Sequence, residues 1–128
     1  MASSNNFGIE KGKSANAIEW INNYIIKNNK SFKISTSKHS INTLNFGSFD
    51  LIEWEGDWSI ARSIFKKVSS KLNIKVVESG YHKKGNIVEA FFGISTEYGK
   101  VYSSGKYIGV ITFTKKSGRW VADKEKRG

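Results

Sequence analysis

Two pairs of adjacent lysines, Lys83-Lys84 and Lys115-Lys116, stand where the chain is expected to turn. Each pair lies in a short polar run with a glycine, which is typical of a tight turn between two strands. In an antiparallel meander, successive turns alternate between the two ends of the sheet. A simple meander over residues 74–122 therefore places both lysine pairs at the same end.

That geometry gathers cations around one aromatic and one imidazole side chain. The predicted cluster contains Tyr81, His82, Lys83, Lys84, Lys115, Lys116 and Arg119. Such a cluster suits a phosphate backbone with a base stacked beside it. The prediction requires that residues 98–102 do not form a full strand, because a further strand changes which turns share an end. The alternative is that lysine is simply favoured in exposed turns.

Residues 58–72 form the element around which these turns are arranged. Apolar side chains recur there at helical spacing, at Ala61, Ile64, Phe65, Val68 and Leu72. The pattern predicts an amphipathic helix with one buried face. Its flanks add four cations to the predicted nucleic-acid site, Arg62, Lys66, Lys67 and Lys71. A solvated helix surface would show the same charges.

The carboxylates of the chain include a stretch that could hold Mg²⁺ for phosphodiester cleavage, namely Asp50, Glu53, Glu55 and Asp57. Sites of that kind generally need a lysine directly beside the acids, and the nearest one here is Lys66. These residues are therefore assigned to a loop and a helix start, with Asp57 as the helix cap. His39 and His82 lack metal-ligand spacing. We predict no metal, no cofactor and no catalysis.

Charge is distributed unevenly along the 128 residues, which carry a net charge of +10. Residues 1–57 hold six basic and six acidic side chains, whereas residues 58–128 hold fifteen basic and five acidic ones. This asymmetry favours a polyanionic partner, usually nucleic acid. A basic protein that is merely soluble is the alternative. The absence of cysteine excludes disulfides, thiolate metal sites and a cysteine nucleophile.

The order of patterns predicts one α+β domain over residues 14–122. Two main helices, at 15–27 (capped by Ser14) and 58–72, pack on a mostly antiparallel twisted sheet of four to six strands. Residues 1–13 are expected to be a flexible lead and residues 123–128 a charged, frayed tail. No stretch is long and apolar enough for a membrane span, and the polar start lacks a signal peptide. A soluble intracellular protein is the expectation.

Two known arrangements share part of this element order. Residues 12–36 and 58–114 resemble the Alba-type nucleic-acid-binding domain, with residues 37–57 as an insertion; that resemblance implies a basic surface for DNA or RNA. Residues 110–121, VITFTKKSGRWV, resemble the last hairpin of nuclear-transport-factor-like domains, in which helices pack in the concavity of a curved sheet. That second resemblance implies a scaffold or interaction module, dimeric in some cases, with an apolar pocket lined by residues such as Phe91, Phe92 and Trp120.

Taken together, the sequence predicts a non-catalytic protein whose basic C-terminal half binds DNA or RNA, mainly through phosphate contacts. The alternative function is the scaffold or protein-interaction module.

Overall fold

The computed structural model describes residues 5–28, 31–79, 83–84, 87–88 and 96–128. These residues form two helices, α1 (Ser14–Lys27) and α2 (Trp58–Leu72). Nine strands accompany them: β1 (Asn5–Glu10), β2 (Phe32–Asn42), β3 (Ser48–Gly56), β4 (Lys75–Ser79), β5 (Lys83–Lys84), β6 (Ile87–Val88), β7 (Thr96–Ser103), β8 (Lys106–Lys116) and β9 (Arg119–Arg127). The protein is therefore α+β, with more strand than the sequence indicated.

Seven strands form one antiparallel sheet in the order β2-β3-β1-β4-β7-β8-β9, and β5 and β6 form a separate two-stranded sheet. The predicted sheet of four to six strands is thus wrong. The first half of the chain has the β-α-β-β-α-β order of the split βαβ motif. The second half is a meander that extends the sheet beyond β4.

Strand β1 lies in the middle of the sheet, between β3 and β4. The prediction of a flexible lead over residues 1–13 is therefore wrong for residues 5–10. Phe7 and Ile9 are fully buried under the helices. Only two apolar residues mark this strand, so its sequence pattern is weak, and its position depends on partners far along the chain, such as Trp54 opposite Asn5.

Strands β7, β8 and β9 are joined by two tight hairpin turns, Ser104-Gly105 and Ser117-Gly118. All four turn residues have positive φ angles, as a type I′ turn requires. Residues 98–102, which the predicted meander required not to form a full strand, lie within β7. The frayed tail expected over residues 123–128 is wrong as well, because β9 pairs with β8 as far as Arg127.

Helix α2 has the bounds that its apolar spacing predicted. Asp57 caps it as predicted, accepting hydrogen bonds from the backbone N–H of Ser59 at 2.8 Å and of Ile60 at 3.4 Å. Asn73 ends it in the left-handed conformation. The predicted cap of α1 is wrong: Ser14 is the first helical residue, and its hydroxyl donates to Asp50 instead.

The sheet carries a separate apolar cluster on each face. On the outer face, both helices cover side chains of β1, β2, β3 and β4, including Phe7 and Trp54, against which Phe65 of α2 packs. On the inner face, side chains from β2, β3, β4, β7, β8 and β9 pack on one another, with Phe49 and Phe113 among them. Strands so far apart in the sheet order can share one cluster only because the sheet curls around it.

Glu125 of β9, at one edge of the curled sheet, contacts the turn that follows β2 at the other edge. Its two carboxylate oxygens accept hydrogen bonds from the backbone N–H groups of Leu44 (2.8 Å) and Asn45 (2.7 Å). In the same turn, Phe46 is buried in the inner cluster, where a Cβ on Gly109 would collide with its ring. The two edge strands therefore meet at one end of the sheet.

This architecture departs from both resemblances. β1 precedes α1 and becomes a central strand, which the Alba-type order does not include. The helices pack on the outer face, whereas the concave inner face is filled by strand and turn side chains. The final hairpin is present, with Trp120 buried in the inner cluster. Within the described residues, neither helix is long and apolar enough to cross a bilayer.

Candidate nucleic-acid interface

The helices cover the outer face of β1 and β3, but they do not cover the outer face of β7, β8 and β9 in the same way. Val101, Ile111 and Phe113 point into the inner cluster, so the residues that alternate with them point outward. Cross-strand pairing arranges these outward side chains in rows. Counted from the β7–β8 turn, the rows are Tyr102–Tyr107, Lys100–Val110–Lys126 and Tyr98–Thr112–Lys124.

Helix α2 runs along the side of this face and contributes Lys66. The Lys66 Nζ lies 5.6 Å from the centroid of the Tyr102 ring, within cation–π range. The β7–β8 turn is fixed against the same helix, because the Gly105 N–H donates to the Ser69 hydroxyl at 3.2 Å. A groove of about 400 Å³ remains between helix and strands, lined by Lys66, Lys100, Tyr102, Gly105 and Tyr107.

The exposed cations of this face are not neutralised by carboxylates within the described part of the chain. Glu78 is buried and pairs with Arg62, whose Nε lies 2.5 Å from its Oε1. Asp123 accepts a hydrogen bond from Thr114, and Glu125 is turned towards the closing turn. The lysines at 66, 124 and 126 are exposed to solvent, whereas Lys100 is half-buried and lies opposite Glu78 in the β4–β7 register. We call these four lysines with Tyr102 and Tyr107 the lysine–tyrosine face.

Glu78 on β4 influences the ionisation of Tyr102. Burial of the ring, together with the hydrogen bond and the negative charge of Glu78, raises the pKa of Tyr102 well above its ordinary value. The phenol therefore stays protonated, and the Lys66 ammonium lies over its ring. Tyr107 packs edge-on against Tyr102, with ring centroids 6.3 Å apart.

The structure separates the four predicted helix cations. Lys66 lies beside the groove, whereas Arg62 is held by Glu78 with its side chain 48% exposed. Lys67 and Lys71 are exposed on α2. Helix periodicity placed all four on the flanks, but it could not show that a buried carboxylate on β4 would take one of them.

Of the two predicted lysine pairs, only the Lys116 side chain is described, and it lies away from the groove. Lys116 is exposed at the far end of β8, about 33 Å along the strand from the turn that borders the groove. The simple meander is wrong, because residues 98–102 lie in the full strand β7 and β4 pairs with β7 directly. The last residues of β4 and the first residues of β7 lie at the same end of the sheet as the Ser117-Gly118 turn.

Much of the predicted turn cluster lies outside the described residues. This is true of Tyr81 and His82, and of the side chains of Lys83, Lys84, Lys115 and Arg119. The backbone of Lys83 and Lys84 forms β5, which pairs with β6. The convergence of these side chains at one end of the sheet stays a prediction.

Sequence reasoning missed most of the lysine–tyrosine face, although a signal was present. Residues 123–127 read Asp, Lys, Glu, Lys, Arg, so their charges alternate with the period of two that marks a strand with one positive face. The Ser-Gly pair at 104–105 also repeats the pair at 117–118. Interpreted as a hairpin turn, it would have revealed β7 and the pairing of Tyr102 with Tyr107.

In the acidic stretch, Asp50, Glu53 and Glu55 lie in strand β3, so their assignment to a loop is wrong, whereas the assignment of Asp57 to the helix start is confirmed. Asp57 caps α2, and the three hydrogen bonds that it accepts from Ser59 and Ile60 lower its pKa. Asp50 accepts a hydrogen bond from Ser14. Within the described residues, no three histidine, aspartate or glutamate side chains come together as metal ligands do.

The protein thus combines a split βαβ unit with a meander that extends its sheet. The outer face of this meander is basic and carries tyrosines. No protein-family model matches the chain, and neither the curated proteins nor the solved structures include a significant match to it. The functional argument therefore depends on the chemistry of the site alone.

Proposed function

We propose that this protein is a non-catalytic nucleic-acid-binding protein and that the lysine–tyrosine face is its binding surface. The observation that carries the proposal is the set of four lysines on one face, without carboxylate partners among the described residues, around two tyrosines. Lysines of this kind bind phosphates by releasing counterions from the nucleic acid. The surface remains in the basic C-terminal half, but it is built on β7–β9 and α2 instead of on the lysine turns.

The test is a fluorescence-polarisation titration of labelled oligonucleotides at several salt concentrations. We expect the double variant Lys124→Gln/Lys126→Gln to bind more weakly and to lower the slope of log Kd against log salt by about 1.4, since each lost phosphate contact with a single strand removes about 0.7. The matched control is Lys27→Gln/Lys33→Gln, which removes the same charge from two exposed positions near the β2 edge.

Three results would count against the proposal. One is a lack of binding by the wild-type protein at low salt. Another is an equal loss of affinity in the two double variants, which would mean that only net charge matters. The third is an affinity that neither double variant changes, which would mean that the nucleic acid does not contact β9.

A further inference from the structure

We infer that the preferred ligand of the lysine–tyrosine face is a single-stranded nucleic acid, with one base stacked on the Tyr107 ring. This inference rests on the proposed function and adds the class of ligand. It is carried by the position of Tyr107, which is 47% exposed and borders the groove that Lys66 and Lys100 also line. Large exposed apolar or aromatic side chains are few among the described residues, and this one lies on the basic face.

The tyrosine pair is organised before any ligand arrives. Tyr102 is almost fully buried beneath the Lys66 ammonium, and it contacts Tyr107 edge-on. Gly128 lies against another side of the Tyr107 ring, and its N–H donates to the Ile108 carbonyl at 3.0 Å. A ring that is already fixed loses little conformational entropy when a base stacks on it.

The lysines lie where the backbone of such a strand would continue. Lys66 and Lys100 line the groove beside the two rings. Lys126 lies in the next row from the rings and Lys124 in the row after that, about 7 Å further along β9. A strand with its base on Tyr107 can thus pass its phosphates from the groove to β9.

The preference for single-stranded over duplex nucleic acid follows from the stacking of a base on Tyr107. A paired base has both faces covered by its neighbours in the duplex, so it cannot reach an aromatic ring unless it is unstacked first. A single strand has no such requirement, whereas lysines alone attract both forms through their phosphates. The exposed ring therefore selects single strands, and the lysines set the overall affinity.

The experiment compares four ligands at one salt concentration: a 12-nucleotide single strand, the duplex of the same sequence, an abasic strand of equal length, and inorganic polyphosphate of similar charge. We expect the single strand to bind the wild-type protein about tenfold more tightly than each of the others. We expect Tyr107→Ala to remove that advantage with little change in duplex affinity, while Tyr107→Phe keeps it. A 2-aminopurine base in the strand should be quenched by the wild-type protein and by Tyr107→Phe only.

The outcomes separate the two proposals. If the single strand, the duplex and the abasic strand bind equally well, the single-strand inference is overturned but the proposal of nucleic-acid binding survives. If polyphosphate binds as tightly as the single strand, the single-strand inference is overturned as well. No binding of any nucleic acid overturns both. The abasic strand tests stacking on the unaltered protein, so the result does not depend on the folding of the Tyr107→Ala variant.

Discussion

Arg62 of α2 and Glu78 of β4 form an ion pair, with the arginine Nε 2.5 Å from the carboxylate Oε1. The carboxylate is buried and its other oxygen, Oε2, has no hydrogen-bond partner among the residues that the structure describes, whereas the arginine side chain is half exposed. The pair thus joins the helix to the strand next to Tyr102. Arg62, predicted as a nucleic-acid contact, is thus engaged in an ion pair within the fold.

The first prediction concerns the stability of this pair. Arg62→Ala leaves a buried carboxylate without its cation, which should lower the free energy of unfolding by about 2 kcal/mol, less than for a fully buried pair because Arg62 is half exposed. The measurement is urea unfolding at neutral pH. The double variant Arg62→Ala/Glu78→Gln should recover part of the loss, since no buried charge remains. Equal stability of wild type and Arg62→Ala would contradict the assignment.

The second prediction concerns the ionisation of Tyr102. Its pKa is raised by burial and by Glu78, so Tyr102 should stay protonated at a pH where the exposed tyrosines have lost their protons. A spectrophotometric titration should show a late component that disappears in Tyr102→Phe and remains in Tyr107→Phe.

A stability change with a definite sign accompanies this ionisation. Because the folded-state pKa of Tyr102 is raised, the unfolded chain releases the proton first. The contribution of Tyr102 is therefore complete below the ordinary tyrosine pKa of about 10 and is lost as pH rises above that value. Tyr102→Phe should flatten this alkaline decline. A decline of the same steepness in both proteins would show that other groups cause it.

The third prediction concerns closure of the sheet. Glu125→Ala removes the acceptor for the Leu44 and Asn45 N–H groups, so the free energy of unfolding should fall by about 1–2 kcal/mol. The control is Lys124→Ala, whose side chain points to the outer face and whose effect should stay within about 0.5 kcal/mol. Hydrogen exchange should speed up at residues 43–47 in the first variant only. Unchanged exchange there would mean that Glu125 does not hold the turn.

The fourth prediction concerns the Asp57 cap and pH. The hydrogen bonds from Ser59 and Ile60 lower the pKa of Asp57 below its ordinary value of 3.8. A carboxylate with a lowered folded-state pKa contributes stability above its unfolded pKa, and the contribution is lost as pH falls through the folded value. Asp57→Ala should thus have a lower Tm than wild type at pH 7, and the difference should shrink below about pH 4.

Asp57→Asn provides the control for that experiment. The amide oxygen still accepts from the backbone N–H groups, so this variant should lie between wild type and Asp57→Ala at pH 7. Its Tm difference from Asp57→Ala should not depend on acid pH, because it has no carboxyl group to protonate. If the Tm difference between wild type and Asp57→Ala were as large at pH 3 as at pH 7, the charge of the Asp57 carboxylate would not be its cause.

Local patterns predicted the parts of the fold whose causes are local. The bounds of α2, its Asp57 cap and its Asn73 terminus follow from apolar spacing and from side chains within a few residues of each end. The hairpin turn at Ser117-Gly118 is likewise encoded in its own residues. By contrast, β1 was missed because its six residues pair with β3 and β4, far along the chain.

The amino-acid sequence alone determined that positive charge is concentrated after residue 57 and that two helices and a set of strands carry it. It did so because charge and short-range periodicity are properties of neighbouring residues. Only the tertiary structure decided which cations share a surface. The register of β7, β8 and β9 brought Lys100, Lys124 and Lys126 to one face, and a buried carboxylate on β4 engaged Arg62. Both effects arise from pairings between residues distant in sequence, which no local pattern records.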